Sequence, residues 1–324
     1  MALDKAKDKY DIATKANIPW LTNFQWKDHI ITEEMIQRTA SGGIGGYDSL
    51  KQFTRKSGVR ITEEAFCAAV KCFDHEMIRL LLQTGANITQ EIIEAAATNK
   101  KYSRFVIDLL LESQSNFEIT AKLVKLAADN PESGKDVMEI ILRKANTDIS
   151  EEAMVAIAAR FDTETVNLVL NTRDNVKITS AILSGAIKEG KGHGRQELLD
   201  FLLERLDQET SITEEVIHLV AKKGFKNTMM ILLNRWGDKI VVTDRIFEIT
   251  TRWFDDEAIE LLFDRQGDQI TITEGFLKIA ASPIDTRMMQ ILLDNKGDQV
   301  NITEEVVKIA AKNYNHELKI TTTR

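Results

Sequence analysis

Proline stands at only 3 of 324 positions and glycine at 16, which excludes a collagen-like or Pro/Gly-rich disordered chain. Cysteine is scarcer still. Two cysteines do not make a disulfide scaffold, and such usage belongs to a reducing compartment, so a cytoplasmic protein is expected. Cys67 and Cys72 fall on one expected helix, roughly 140° apart around its axis, and are not placed to bridge. A basic excess is missing too. The net charge of -8 lacks the electrostatic footprint of a nucleic-acid binder and disfavours an anionic membrane surface. No stretch approaches the roughly 18 apolar residues of a membrane-spanning helix, and Met1 to Lys9 is charged where a signal peptide would be apolar.

Recognisable site chemistry is also thin. His29, His75, His193, His218 and His316 show no metal-ligand spacing, and no Ser-His-Asp, Cys-His or paired-carboxylate set can be assembled, so no catalytic residue, cofactor or metal is expected. Asn87-Ile88-Thr89 and Asn301-Ile302-Thr303 match a glycosylation sequon, but each Thr already has a role at a helix start.

What the chain does have is a phrase used ten times: an aliphatic residue, Thr or Ser, usually acids, then an apolar run. It begins at Ile31, Ile61, Ile88, Ile119, Ile149, Ile178, Ile212, Val242, Ile272 and Ile302. The steps are 30, 27, 31, 30, 29, 34, 30, 30 and 30 residues, the period of a solenoid built from one supersecondary unit. The phrase reads as a helix start: Thr caps an orphan N–H, acids suit the positive helix end, and the leading Ile staples to the apolar residue five later, as Ile302 to Val307. The fourth and fifth residues after the Ile are apolar and the eighth and ninth mostly small, which describes a short first helix packed closely on a neighbour. A second, almost wholly apolar helix follows, capped by Asp74, Asp162, Asp255 or Asp285. It is stopped by Gly85, Gly237, Gly267 or Gly297 in the left-handed conformation.

The segments Thr303 to Ala311 and Met77 to Asn87 resemble degenerate ankyrin repeats, in the short form found in filamentous fungal proteins, alone or in NACHT-type proteins. The resemblance spans residues 31 to 318 and implies a protein-interaction scaffold. It departs from ordinary ankyrin repeats in its shorter unit and in lacking the Thr-Pro-Leu-His start, so long β-hairpin fingers are not expected. The expected fold is therefore all-α: about ten ankyrin-like helix-turn-helix units of about 30 residues. Residues 1-30 would be an N-terminal capping segment, 31-318 the α-solenoid and 319-324 a C-terminal tail. The last unit stops short of its second apolar run, as a polar end cap or a fragment of a longer protein would.

Irregular positions are where function would hide. Gly42 to Gly46 and Gly190 to Arg195 read as surface loops, with phosphate cradles as the rival reading, although neither follows a strand or has a phosphate-loop spacing. Asp255, Asp256, Glu257 and Glu260 read as capping and solvated acids, with a metal or diphosphate site as the rival. The sixth residue after each Ile varies freely: Gln37, Cys67, Glu94, Lys125, Val155, Ser184, His218, Glu248, Lys278, Lys308. A column that varies between uniformly apolar neighbours is expected to be exposed. Gln37, Glu94, Lys125, Ser184, His218, Glu248, Lys278 and Lys308 are thus the candidate contacts to a protein partner. The leading function is a non-catalytic binding module. The alternative is an enzyme or small-molecule binder whose pocket is enclosed by the curve of the array.

Overall fold

The computed structural model describes residues 30–41, 43–55, 57–114, 117–145, 147–188, 194–240, 242–253, 256–266, 270–281 and 286–321. The chain forms two compact units, residues 1–176 and 177–324. The N-terminal segment 1–29, Asp255, Asp285, Gly267 and most of the loop before Arg195 lie outside the described residues.

In the first unit the helices are α1 (Glu33–Ser41), α2 (Gly43–Thr54), α3 (Glu63–Cys72), α4 (His75–Leu82), α5 (Gln90–Ala97), α6 (Ser103–Ser113), α7 (Ala121–Ala128), α8 (Gly134–Lys144), α9 (Glu151–Arg160) and α10 (Thr163–Thr172). The second unit continues with α11 (Ser180–Lys188), α12 (Gly194–Arg205), α13 (Glu214–Lys223), α14 (Lys226–Trp236), α15 (Asp244–Trp253), α16 (Asp256–Gln266), α17 (Glu274–Ala280), α18 (Thr286–Lys296) and α19 (Glu304–Thr321). The fold is all-α apart from traces of strand: β1 (Ile30–Ile31) and β2 (Arg60–Ile61) pair in parallel, and Ile119 bridges Ile149. The aliphatic residue that leads the phrase takes part in both places, as Ile31 with Ile61 and Ile119 with Ile149. Among the described residues no hairpin finger projects from either unit.

Short helices of this kind are marginal alone and hold their shape through packing. Within each unit an odd-numbered helix packs on the even-numbered one that follows it and on the next odd-numbered helix; even-numbered helices likewise contact one another. The core follows the columns. The apolar pair is buried at Met35-Ile36, Ile92-Ile93, Leu123-Val124, Ile246-Phe247 and Phe276-Leu277, and Ala96, Ala97 and Ala127 are buried behind it. At α19 the pattern fails: Val306 is buried, but Val307 is 54% exposed and Ile302 56%, so the expected staple between them is not a covered contact.

Capping is as read at most starts. Side-chain oxygens of Thr62, Thr120, Ser150, Thr179, Thr243, Thr273 and Thr303 accept from the backbone N–H three residues on, whereas Thr32 and Thr89 have buried hydroxyls with no partner. Asp74 caps α4 by accepting from the Met77 N–H (3.0 Å) and also accepts from the Tyr47 hydroxyl of the preceding pair (2.8 Å). Asp162 caps α10 in the same way and takes Lys135 of the preceding pair at 2.7 Å. Burial opposes ionisation of Asp162, but bonds from Lys135 and from the Thr165 N–H and hydroxyl outweigh it and hold its carboxyl below the usual range.

Two glycine readings are corrected. Gly85 has φ +82°, as a left-handed stop requires, but Gly237 and Gly297 open single 3-10 turns, and Gly237 has φ -48°. The Arg265 side chain crowds Gly237, so small size is what that position uses. Gly43 to Gly46 are helical, not a surface loop. Gly46, in the first turn of α2, is pressed against the Thr39 backbone, where a Cβ would sit 2.8 Å from the carbonyl oxygen. Gly134 repeats the device at the start of α8, where a Cβ would overlap the carbonyl oxygen of Ala127.

Buried asparagines tie one turn to the next. Asn99 donates through Nδ2 to the carbonyls of Val70 (2.9 Å) and Phe73 (3.0 Å), while its Oδ1 accepts from the N–H groups of Lys101 and Tyr102. Asn130 does the same one pair later, donating to Ala97 and Asn99 and accepting from Glu132 and Ser133.

Leu81→Ala, at a fully buried site in α4, should cost about 2–5 kcal/mol in urea unfolding through the cavity it leaves. Asn130→Ala, which strands carbonyls and amides in the core, should cost about 1–3 kcal/mol by the same measurement.

Candidate functional site

The sixth-position column does not form one exposed stripe. Gln37, Lys125, Glu248 and Lys308 are exposed, and Lys278 and His218 are half-buried. Glu94 is only 6% exposed and Ser184 5%, which corrects the expectation that both face solvent. At Ser184 every residue from Ile182 to Ile187 is buried, so α11 has no open face there.

Glu94 is buried because it is a structural acceptor. Its carboxylate takes the Thr120 hydroxyl (3.2 Å), the Gln90 amide (3.4 Å) and the Lys122 ammonium (2.7 Å). A buried carboxylate is tolerated when paired in this way. Thr120 is also the N-cap of α7, so its one hydroxyl serves its own helix and the preceding pair together.

The second unit repeats this clasp with different residues. Thr303 donates to Glu274 at 3.0 Å, Thr273 to Asp244, and Thr243 to Glu214 at 3.4 Å. In each case the acid immediately follows the previous N-cap. Helix-dipole compensation alone explains an acid anywhere in the first turn; the hydroxyl of the next unit explains why it is the first residue. Hydrogen bonds from Thr303 and then Lys278 hold the Glu274 carboxyl below the usual range. In the first unit Gln90 occupies the equivalent place and pairs both ways with the backbone of Glu118, donating at 3.0 Å and accepting at 3.1 Å.

Two recesses stand out, one in each unit. In the first unit a groove of about 860 Å³ runs over the turns before α7 and α9, bounded by Phe117, Glu118, Asp148, Glu152 and Asn175. In the second unit a pocket of about 300 Å³ lies between α13 and α15. Helical spacing builds it: His218 and Lys222 are four apart on α13, while Arg245, Glu248, Ile249 and Arg252 share one side of α15. Glu248 accepts from Arg252 at 3.2 Å. The Nδ1 of His218 is buried without a hydrogen-bond partner. His218 and Glu248 stand in the varied column of the repeat, whereas Arg245 lies outside it and joins them only because α13 faces α15.

The rival sites gain little. The basic loop lies outside the described residues except for Gly194 and Arg195, which begin α12. Asp255 is outside them as well, and Asp256 begins α16. Among the described residues no three His, Cys, Asp or Glu side chains converge as a metal site would require, and no helix is long and apolar enough to cross a membrane.

A family described as a domain of unknown function (DUF7104) matches the chain at residues 80–106, 109–138, 201–223, 261–282 and 291–317. Each match opens in the apolar body of a second helix and extends into or through the first helix of the following pair, and successive starts differ by about 30 residues or a multiple of it. No curated protein and no solved structure matches.

The clasp makes an observable demand on pH. Because its folded-state pKa is depressed, Glu274 contributes stability above its unfolded pKa, and that contribution is lost as pH falls through the folded value. Carbon-detected NMR titration should place the Glu274 midpoint below that of an ordinary glutamate, and Thr303→Val should move it upward.

Proposed function

We propose that the chain is a non-catalytic binding module of the cytoplasm, a solenoid of about ten ankyrin-like helix pairs that offers the exposed side of its first helices to a protein partner. The observation that carries this reading is the split within the sixth column. Gln37, Lys125, Glu248 and Lys308 are solvent-exposed, the first three directly after a buried apolar residue, and the column changes in charge and shape along the chain. A position free of packing demands yet set on a rigid frame is where recognition can be varied without disturbing the fold. Further support comes from the helix contacts inside each unit and from family matches spaced at about one helix pair or a multiple of it. Glu94 and Ser184 leave the proposed contact set because both are buried.

The test replaces Gln37, Lys125, Glu248 and Lys308 together with Ala. Thermal stability should change little, since exposed substitutions usually stay within about 0.5 kcal/mol each. A protein captured by the wild-type chain and verified with purified components should bind the fourfold variant at least about tenfold more weakly, as loss of central contacts does. Undiminished binding by the folded variant would overturn the assignment.

A further inference from the structure

The pocket between α13 and α15 is cationic on a chain whose net charge is -8. Lys222, Arg245 and Arg252 line it together with His218, and Glu248, its one acid, is engaged with Arg252. Among the described residues neither Lys222 nor Arg245 has a carboxylate within ion-pair distance. Lys222 has an ordinary explanation, because a cation in the last turn of α13 complements the negative helix end. Arg245 has none of that kind. It is the second residue of α15, at the positive end, where a cation is disfavoured.

The same place in the other units makes the contrast sharper. Two residues after the capping Thr or Ser stand Glu34, Glu64, Glu91, Glu152, Glu215 and Glu305. Ala181 and Gly275 are uncharged at this place, and the other cation, Lys122, is accounted for by Glu94 at 2.7 Å. Arg245 is the exposed exception that no side chain of the described residues neutralises, and it opens onto a recess shared with Lys222.

We propose that this pocket receives an oxyanion, a carboxylate or phosphoryl group, carried by an acidic peptide segment of the partner. Arg245 and Lys222 supply the uncompensated charge. Glu248 holds Arg252 in place at the rim, and His218 forms part of the wall. An arginine fork suits such oxygens because it donates parallel N–H bonds to both. At about 300 Å³ the recess stands at the lower end of the range for small-molecule sites, which fits one projecting side chain better than a complete metabolite. The proposal rests on the binding-module reading and names the chemistry of one contact within it.

Fluorescence anisotropy of the full chain with a labelled Glu-rich peptide tests it, alongside the same peptide carrying phosphoserine and a scrambled peptide without acids. The acidic peptide should bind, and the scrambled one should not. Binding should weaken as salt rises from about 50 to about 200 mM. The pair Lys222→Glu with Arg245→Glu should reduce affinity by about tenfold or more, while Lys71→Glu with Lys100→Glu, an equal charge change at exposed sites of the first unit, should alter it less than about twofold. Circular dichroism of each variant establishes that it is folded, and the milder Arg245→Gln should retain an intermediate effect. Comparison of the carboxylate and phosphoserine peptides identifies which oxyanion is preferred, and inorganic phosphate should compete if the phosphoryl form is. Equal weakening by both charge-reversed pairs would reveal attraction to the chain as a whole and overturn the site, as would failure of either acidic peptide to bind. If the fourfold stripe variant loses the captured partner while the Lys222/Arg245 variant keeps it, the module reading stands and the oxyanion site falls.

Discussion

A pair of helices mostly seven to twelve residues long cannot cover its own apolar faces, and most of this structure answers that constraint. The second helices carry Leu-Leu and Ile-Leu runs on several sides, so each needs cover from both neighbours in the chain. Burial alone is indifferent to register, since one apolar residue covers another almost equally well after a small slide. Directional bonds supply the register. A capping hydroxyl that must meet both an N–H of its own helix and a carboxylate of the preceding pair permits little sliding. The two buried asparagines impose the same discipline at the opposite ends of first helices, satisfying carbonyls that no helix bond reaches.

The sequence was most legible where a physical demand recurs with the period. Buried apolar pairs, small residues behind them and a capping Thr or Ser appear at most of the columns where repetition puts them, α19 being the exception for the pair. Legibility fails where a residue answers to something outside its own column. Glu94 looks like a varied surface residue because the reason for its burial lies 26 residues away in Thr120. Asn99 and Asn130 were invisible for a related reason: an asparagine in a turn is unremarkable until the carbonyls of the preceding pair are found around its amide. Gly42 to Gly46 misled in another way. Glycine clusters usually mark loops, but here glycine lets one helix begin against the backbone of another.

The candidate site shows the same boundary between column and neighbourhood. His218 and Glu248 could be selected because they occupy a variable place in the repeat. Arg245 required knowledge of which side of α15 meets α13. Once a column is known to prefer Glu, an arginine within it is informative, and that comparison needs only the sequence. What the sequence withholds is whether the exception has been neutralised locally, as at Lys122, or left open, as at Arg245.

The clasp between successive pairs also bears on how such a chain can change over generations. At Thr243-Asp244 and Thr273-Glu274 donor and acceptor lie side by side in the same short phrase, so each of these two repeats carries one half of a joint for each neighbour. The joint does not depend on which copies meet. A duplicated, deleted or transposed repeat of this kind would therefore find compatible partners on both sides without compensating substitutions, provided the cut respects the period. Length would be free to drift by whole units, and exposed positions could diversify afterwards on a frame already closed.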